Sequence, residues 1–140
     1  MKRILALDIG TVRIGVAVSD PLGVFARGVA VLNAGKGWMD ELDGLVKEYG
    51  PGILLVGHPL RTDGSRGPEA LKVEAVAEEL AARYPDLEVE LYDERFSTAI
   101  ANRALIEGDV SRKNRKGKVD KVAAALILQS RLERGRGAEN

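Results

Sequence analysis

The chain has 140 residues, 45% of them hydrophobic, which is enough for one domain with an apolar core of ordinary size. It contains no cysteine and a single histidine, His58, so a disulfide framework, a zinc–thiolate site and a histidine-rich metal site are excluded. Basic and acidic residues number 21 each, so net charge alone does not indicate nucleic acid as a partner.

Charge is nevertheless distributed unevenly along the chain. Residues 69–94 contain nine acidic and two basic side chains, whereas residues 111–136 contain nine basic and two acidic ones. A basic C-terminal third could follow a phosphate backbone, although a solvated helix face would show the same pattern. The first apolar run is interrupted before it reaches signal-peptide length and no stretch is long enough to span a membrane, so we expect a soluble, cytoplasmic protein.

The first predicted element is a hairpin that contains an acidic residue. Residues 4–9 are almost all apolar, as in a central strand, and residues 14–18 form a second such run after a glycine turn. Gly10 and Gly15 leave the surface beside Asp8 free of bulky side chains. A lone aspartate at a strand end more often accepts hydrogen bonds from turn amides, so the meaning of Asp8 depends on its partners.

Two further strands and one helix are predicted in the middle of the chain. Pro21 and Gly23 form a turn signal that leads into a third strand, Val24–Leu32. Apolar residues at helical spacing follow and end at Gly50-Pro51, which predicts an amphipathic helix. The unbroken apolar run Ile53–Val56 is typical of a strand covered on both faces. The glycine- and arginine-rich loop after it occupies the position where α/β sheets bind ligands.

The sequence of the second half of the chain predicts a helix, a final strand and then two more helices. Pro68–Tyr84 has the proline start and apolar stripe of a helix, and Leu87–Tyr92 alternates as an edge strand does. Ser97 is the predicted N-cap of a helix that runs through Glu107. Residues 108–117 are polar and basic and predict a mobile loop, and a last helix is expected from about Lys118 to about Arg134.

Three acidic residues stand where a sheet of strand order 3-2-1-4-5 would bring them together. Asp8 ends the first strand, Glu94 follows the fifth strand, and Asp120 begins the last helix. Clustered carboxylates require a cation, and oxygen ligands favour Mg²⁺ or Mn²⁺ over zinc. Two such ions about 4 Å apart could generate hydroxide and stabilise the departing oxygen of a phosphodiester. Asp20 and Asp93 are alternative carboxylates, but a turn and a strand end explain them equally well.

Four segments that span nearly the whole chain, in order, resemble the successive signatures of the YqgF/RuvX family. They are DIGTVRIGVAVSDPLG, VGHPLRTDGSRGPEA, YDERFSTA and KVDKVAAALILQ. The family comprises Holliday junction resolvases and pre-16S rRNA nucleases with an RNase H-like fold. The resemblance implies an α/β fold with a five-stranded mixed sheet of order 3-2-1-4-5, strand 2 antiparallel, flanked by helices. It also implies Asp8, Glu94 and Asp120 as the catalytic, metal-binding set, and a nucleic-acid phosphodiester as substrate.

The chain departs from the family pattern at two positions in the loop after the fourth strand. His58 stands where an aliphatic residue such as leucine is expected, and Arg61 stands where an amide is usual. Both departures bear on substrate contacts rather than on the three acids. His58 could act as a base or contact phosphate, although a single loop histidine more often does neither.

Basic side chains near these segments are candidates for binding the nucleic-acid backbone or stabilising transition-state charge. They are Arg13, His58, Arg61, Arg66, Arg95, Arg112, Lys113, Arg115, Lys116, Lys118 and Lys121. Those within residues 108–117 would form a flexible clamp on the substrate. Few aromatic residues are available for base stacking, so we expect recognition of backbone and shape.

We therefore expect a single domain, residues 1–140 with a disordered tail from about residue 135, that cleaves rRNA precursor ends or Holliday junctions. One alternative is a phosphotransferase or ATPase of the actin, Hsp70 and sugar-kinase superfamily, whose first phosphate loop resembles D-x-G-T-x-x-x-G. Those proteins bind nucleotide between two such domains. Another alternative is a catalytically silent RNA-binding module for ribosome assembly. The protein could be a monomer or a homodimer, and symmetric junction resolution would require two active sites.

Overall fold

The computed structural model describes the backbone of residues 2–100 and 112–139 and the side chains of residues 2–100 and 121–135. Its described residues form one mixed sheet in the order β3-β2-β1-β4-β5. β2 is antiparallel to β1 and β3, whereas β4 and β5 run parallel to β1. The predicted strand order is confirmed. The strands are β1 (Ile4–Ile9), β2 (Arg13–Ser19), β3 (Ala26–Asn33), β4 (Ile53–His58) and β5 (Glu88–Asp93).

Helices cover both faces of this sheet. They are α1 (Trp38–Tyr49), α2 (Pro68–Arg83) and α3 (Arg112–Glu139), and a 3₁₀ turn, Glu94–Phe96, follows β5. Buried residues of α1 and α2 form one core cluster with one face of the sheet, and buried residues of α3 form a second cluster with the other face. Among these described helices, none combines the length and apolarity needed to cross a membrane.

The two central strands are apolar at successive positions because both of their faces are covered. In β1, Ile4 and Ala6 pack in the α3 cluster, whereas Leu5 and Leu7 pack in the cluster with α1 and α2. All four are at most 2% exposed. The side chains of β4 alternate in the same way, so every polar residue near the end of β1 or β4 is directed to a defined face.

The last helix differs from its prediction. It begins by Arg112 and includes residues 112–117, which the sequence predicts as a mobile loop. Lysine and arginine are good helix formers, so a run of basic residues can continue a helix even though it lacks an apolar stripe. The helix also extends through Glu139, beyond the predicted end near Arg134. The expectation that the last residues are disordered in solution stays a prediction.

The helix predicted after the 3₁₀ turn is described only at its beginning. Ala99 and Ile100 are helical, and the Ser97 hydroxyl accepts a hydrogen bond from the Ala99 amide at 3.2 Å. This is the N-cap geometry expected for Ser97. Residues 101–107 of the predicted helix lie outside the described residues.

α1 and α2 are joined by a polar contact on the face opposite α3. The Arg83 guanidinium donates hydrogen bonds to Asp43 at 2.9 and 2.6 Å and to Asp40 at 2.8 Å. Hydrogen bonds from Arg83, and then from Tyr84, lower the pKa of Asp43 to about 2. The acids of α1 therefore orient α2, whose first turn follows the loop after β4.

Candidate active site

Asp8 and Glu94 are buried on the same face of the sheet. Asp8 has the same strand parity as Ile4 and Ala6, whose side chains pack against α3. Glu94 comes two residues after Tyr92, which belongs to the same cluster. Asp8 is 9% exposed and Glu94 is 4% exposed. A buried carboxylate is costly unless it is hydrogen-bonded, paired or bound to a cation, so two of them on one face mark this edge of the sheet as a functional candidate.

Gly57 lies between the two acids. β1 and β4 pair in a parallel register that ends with Leu7 beside Val56, and one further step places Asp8 beside Gly57. A Cβ atom built on Gly57 would lie 3.3 Å from Cγ and 3.4 Å from Cδ of Glu94. The Glu94 side chain therefore lies over Gly57, which the register places next to Asp8 of β1.

The hairpin after Asp8 is shaped by its glycines, as the sequence predicts. Gly15 is the cross-strand partner of Asp8, so no side chain stands beside the carboxylate at that position. The Gly10 amide donates to the Arg13 carbonyl at 2.9 Å. A Cβ atom on Gly10 would lie only 2.5 Å from that carbonyl oxygen, so a larger residue would force this tight turn open.

The backbone that holds Glu94 is fixed from both sides. The Asp93 carboxylate accepts a hydrogen bond from the Arg95 amide at 2.9 Å and thereby caps the 3₁₀ turn. The Glu94 carbonyl accepts from the Ser97 amide at 3.0 Å and from the Ser97 hydroxyl at 2.9 Å. The turn is also tied to α3, because the Ser130 hydroxyl donates to the Phe96 carbonyl at 3.0 Å. These hydrogen bonds fix the position of the Glu94 backbone, from which the side chain extends.

Asp120, the third predicted acid, lies more than two turns inside α3, so the prediction that it begins this helix is wrong. Its backbone lies one helical turn before Ala124, whose side chain is fully buried against the sheet. The side chain of Asp120 lies outside the described residues. Among the side chains that are described, no three histidine or acidic groups could hold a metal ion together. Asp8 and Glu94 supply two oxygen donors, a set that fits Mg²⁺ or Mn²⁺ and lacks the nitrogen and sulfur ligands that zinc prefers.

His58 faces away from the two acids. It follows Gly57 in β4, and the alternation of the strand directs it to the α2 face, where its Nε2 lies 2.8 Å from Oε2 of Glu74. Arg66 donates to the same carboxylate from Nε at 2.9 Å and from Nη2 at 2.5 Å. These hydrogen bonds, first from Arg66 and then from His58, lower the pKa of Glu74 to about 2. The structure thus gives His58 a hydrogen-bond partner on the α2 face.

The arginines near this loop differ in their contacts. Arg95 donates to the Asp93 carboxylate at 2.7 to 3.1 Å and, more weakly, to the Thr62 carbonyl at 3.4 Å. Arg61 is exposed, and its Nε lies 3.0 Å from a Cβ atom built on Gly67, the residue before α2. Within residues 2–100 and 121–135, no carboxylate pairs with the Arg61 guanidinium.

The remaining predicted cations lie on β2 and α3. Arg13 begins β2 at the hairpin turn and is half-buried. Lys121 is exposed on α3, where its Cβ atom would come within 2.9 Å of a Cβ on Gly28 of β3. The predicted clamp is wrong as a flexible loop, because its members belong to the first turns of a helix. The residues whose side chains are not described there are Arg112, Lys113, Arg115, Lys116 and Lys118.

The two alternative carboxylates have structural roles. Asp20 Oδ1 accepts hydrogen bonds from the amides of Val24 at 2.7 Å and Phe25 at 2.8 Å, which organises the turn between β2 and β3. The bond from Phe25 is the main cause of the lowered pKa of Asp20. The hydrogen bonds from Arg95 are the main cause of the lowered pKa of Asp93. The predicted turn and strand-end roles are confirmed by these contacts.

Sequence reasoning missed the part that Gly57 plays in this site. In the sequence, Gly57 is the first residue after the apolar run Ile53–Val56 and belongs to the predicted glycine- and arginine-rich loop. The available signal was a glycine inside a strand, which often marks a close approach by another group. Here the close groups are Cδ1 of Ile127 and the carboxylate-bearing side chain of Glu94.

A mixed sheet of order 3-2-1-4-5, covered by helices on both faces and with acids at the ends of β1 and β5, defines an RNase H-like fold. The family model described as "RuvX: Holliday junction resolvase" matches residues 2–134. The chain therefore belongs to the RuvX family.

Curated relatives agree with this assignment over nearly their full length. A protein of Pelotomaculum thermopropionicum is 45% identical over 134 residues, which cover 94% of this chain and 86% of the relative. A protein of Geobacillus kaustophilus is 44% identical over 135 residues, which cover 94% of this chain and 97% of the relative. Both carry the name "Putative pre-16S rRNA nuclease". These matches favour the nuclease interpretation over the phosphotransferase alternative.

Solved structures share the fold at low sequence identity. Thermus thermophilus RuvC in complex with a Holliday junction substrate superposes with a TM-score of 0.53 at 14% identity, covering 96% of this chain and 97% of that chain. The fowlpox virus Holliday junction resolvase superposes with a TM-score of 0.57 at 14% identity, covering 96% of this chain and 99% of that chain.

Proposed function

We propose that this protein is a divalent-metal-dependent nuclease that hydrolyses phosphodiester bonds at the α3-facing edge of β1 and β4. The observation that carries the proposal is the burial of Asp8 and Glu94 on one face of the sheet, where the Glu94 side chain lies over Gly57 of the neighbouring strand. Asp120 of α3 is proposed as the third acid of the set. The three residues would hold Mg²⁺ or Mn²⁺, as a pair of ions in the two-metal arrangement.

The chain supplies position and electrostatics in this mechanism. Bound divalent ions would lower the pKa of an attacking water and neutralise charge on the scissile phosphate. Asp8 and Glu94 present their oxygens from a rigid sheet edge, so little reorganisation is needed when the substrate binds. The hairpin glycines leave room for a phosphate backbone to approach Asp8 closely.

Substrate binding is assigned to cations around the sheet edge. Arg13 and Lys121 lie on elements that border the acid face, and the basic residues of the first α3 turns belong to the helix that covers it. Arg61 extends from the loop after β4 and, within the described part of the chain, is the arginine of that loop without a carboxylate partner. These cations would neutralise backbone phosphates rather than read bases.

The names of the relatives and of the family suggest two substrates, 16S rRNA precursor ends and Holliday junctions. The relatives' name favours the rRNA precursor, which would place the protein in the cytoplasm with other ribosome-processing enzymes. Symmetric junction resolution needs two active sites, so the proposal for a junction requires a homodimer. Analytical ultracentrifugation that finds a monomer at assay concentration would favour the rRNA precursor.

The decisive test is cleavage of end-labelled precursor rRNA, single-stranded RNA and four-way junctions in Mg²⁺, in Mn²⁺ and in chelator. We expect cleavage of at least one substrate, abolished by the chelator. Asp8→Asn, Glu94→Gln and Asp120→Asn should each lower the rate by at least about 10²–10³-fold, because each removes a charged ligand from the reaction centre.

Asp20→Asn is the matched control for these variants. It removes a carboxylate charge at the opposite end of the sheet, in the β2–β3 turn, and should leave cleavage unchanged. Circular dichroism spectra of all variants should match that of the wild-type protein. Full activity in the three acid variants, or activity that persists in chelator, would rule out the proposed mechanism.

A further inference from the structure

Gly57 is a glycine whose backbone conformation does not require glycine. Its φ is not positive, unlike that of Gly23, Gly37, Gly50 and Gly64. It lies inside β4, where an interior glycine weakens a strand because it has no side chain to pack. The reason for a glycine here must therefore be sought in the space around it.

The space above Gly57 is occupied by two side chains. The three heavy atoms nearest to a Cβ built on Gly57 are Cδ1 of Ile127 at 3.0 Å and Cγ and Cδ of Glu94 at 3.3 and 3.4 Å. The first two of these contacts are shorter than nearly all real Cβ contacts, so an alanine would displace Cδ1 of Ile127 and Cγ of Glu94 by a few tenths of an ångström, and the carboxyl group attached to Cγ would move with it. Ile127 is fully buried in the α3 cluster, which limits the direction in which Glu94 can move.

We infer that Gly57 is a positioning residue that seats the carboxyl group of Glu94 beside Asp8. The missing side chain lets Glu94 lie directly on β4, and the register of β4 with β1 sets its separation from Asp8. An added methyl group would push the Glu94 carboxyl group off the strand while the Asp8 backbone stays in place. The inference rests on the proposed metal site, because the seating matters only if the two carboxylates act together.

The first test measures divalent-ion affinity in the intact chain. Mn²⁺ binding is followed by electron paramagnetic resonance, and cleavage of the labelled substrates is measured over a range of Mg²⁺ concentrations. Gly57→Ala should weaken Mn²⁺ binding about 10- to 100-fold, the range found when a group that orients a metal ligand is changed. The Mg²⁺ concentration for half-maximal cleavage should rise by a similar factor.

Two further variants separate displacement of Glu94 from disturbance of the core. Ile127→Val removes the Cδ1 atom that a Gly57 methyl group would contact first, so the double variant Gly57→Ala/Ile127→Val relieves the core contact but not the Glu94 contact. We expect the double variant to bind Mn²⁺ as weakly as Gly57→Ala. Gly52→Ala is the matched control, since it makes contacts of similar length at the opposite end of β4, where the three heavy atoms nearest to the new methyl group would be Cβ, Cγ and Cδ of Lys2. Its Mn²⁺ affinity should equal that of the wild-type protein.

Crystal structures of Gly57→Ala and the double variant give a readout that is independent of metal and of activity. We expect Cδ of Glu94 to move by a few tenths of an ångström relative to Asp8 in both. An unmoved carboxyl group, wild-type Mn²⁺ affinity in Gly57→Ala, or affinity restored in the double variant would overturn the inference. A wild-type protein that cleaves no substrate would refute the proposed function, whereas the displacement of Glu94 would still be measured.

Discussion

Replacing Arg61 with glutamine tests which cation of the loop between β4 and α2 contacts the nucleic-acid backbone. Arg66 is paired with Glu74 and Arg95 with Asp93. Arg61 is exposed and has no carboxylate partner among the described side chains. A cation that is already paired gains little from a phosphate, because it must first give up its carboxylate. Arg61 can neutralise a phosphate without that loss.

The expected magnitude follows from counterion release. Each phosphate neutralised by a protein contributes about 0.9 to the slope of log affinity against log salt on a duplex and about 0.7 on a single strand. Arg61→Gln should therefore lower the slope by about 0.9 on a junction arm and about 0.7 on single-stranded RNA. A slope difference of 0.9 corresponds to about 3.5-fold in affinity between about 50 and 200 mM salt. Over this range, the factor by which affinity for a junction arm falls should therefore be about 3.5 times smaller for the variant than for the wild-type protein.

Fluorescence anisotropy of labelled substrates in chelator measures this binding without cleavage. Arg66→Gln and Arg95→Gln are matched controls, since each removes one arginine from the same region. We expect both controls to change the slope by less than half as much as Arg61→Gln does. An unchanged slope in Arg61→Gln, or an equal decrease in Arg66→Gln, would show that pairing with a carboxylate does not decide which arginine binds phosphate.

Two other variants test the contacts that support the site. Asp20→Ala should lower the urea midpoint at neutral pH without changing cleavage, because it removes two hydrogen bonds in the β2–β3 turn. Because the pKa of Asp20 is lowered in the folded protein, its contribution to stability is present above the ordinary carboxyl pKa and is lost as pH falls through the folded-state pKa. Equal urea midpoints for the variant and the wild-type protein at neutral pH would contradict this contribution. Tyr92→Phe should cost about 1 kcal/mol of unfolding free energy, because it removes a 2.7 Å hydrogen bond to Ser130 beneath the turn that holds Glu94. Thermal unfolding that matches the wild-type protein would show that this bond contributes nothing.

The strands could be predicted because burial on both faces leaves a direct mark on the sequence. The runs around Asp8 and before Gly57 are apolar at almost every position, and the structure places both in central strands. The predicted strand order placed Asp8, at the end of β1, and Glu94, after β5, at the same edge of the sheet, and the family resemblance implied the same acids. The start of α3 was not predictable in the same way, because residues 112–117 lack an apolar stripe and their basic side chains suit a helix or a loop equally well.

The partners of individual side chains could not be predicted from the sequence. His58 was a candidate for substrate contact because it follows a central strand. Its position on the α2 face depends on strand parity, and its contact with Glu74 depends on where the first turns of α2 pack. Arg66 and Arg95 were grouped with Arg61 as basic loop residues, yet only the folded chain shows that a carboxylate accompanies the first two.

The alternation of β4 divides the end of the sheet into two chemically different faces. Gly57 lies beneath the Glu94 side chain on the α3 face, and the side chain of His58, the next residue, contacts Glu74 on the α2 face. A phosphate at the acids is therefore separated from His58 by the thickness of the sheet. Among the residues that the structure describes, Arg13 of the β1–β2 hairpin and Lys121 of α3 are the predicted cations on elements that border the acid face. Arg61 can contribute only where the nucleic acid passes over the end of β4, so the proposed substrate path runs from α3 across that edge to the loop.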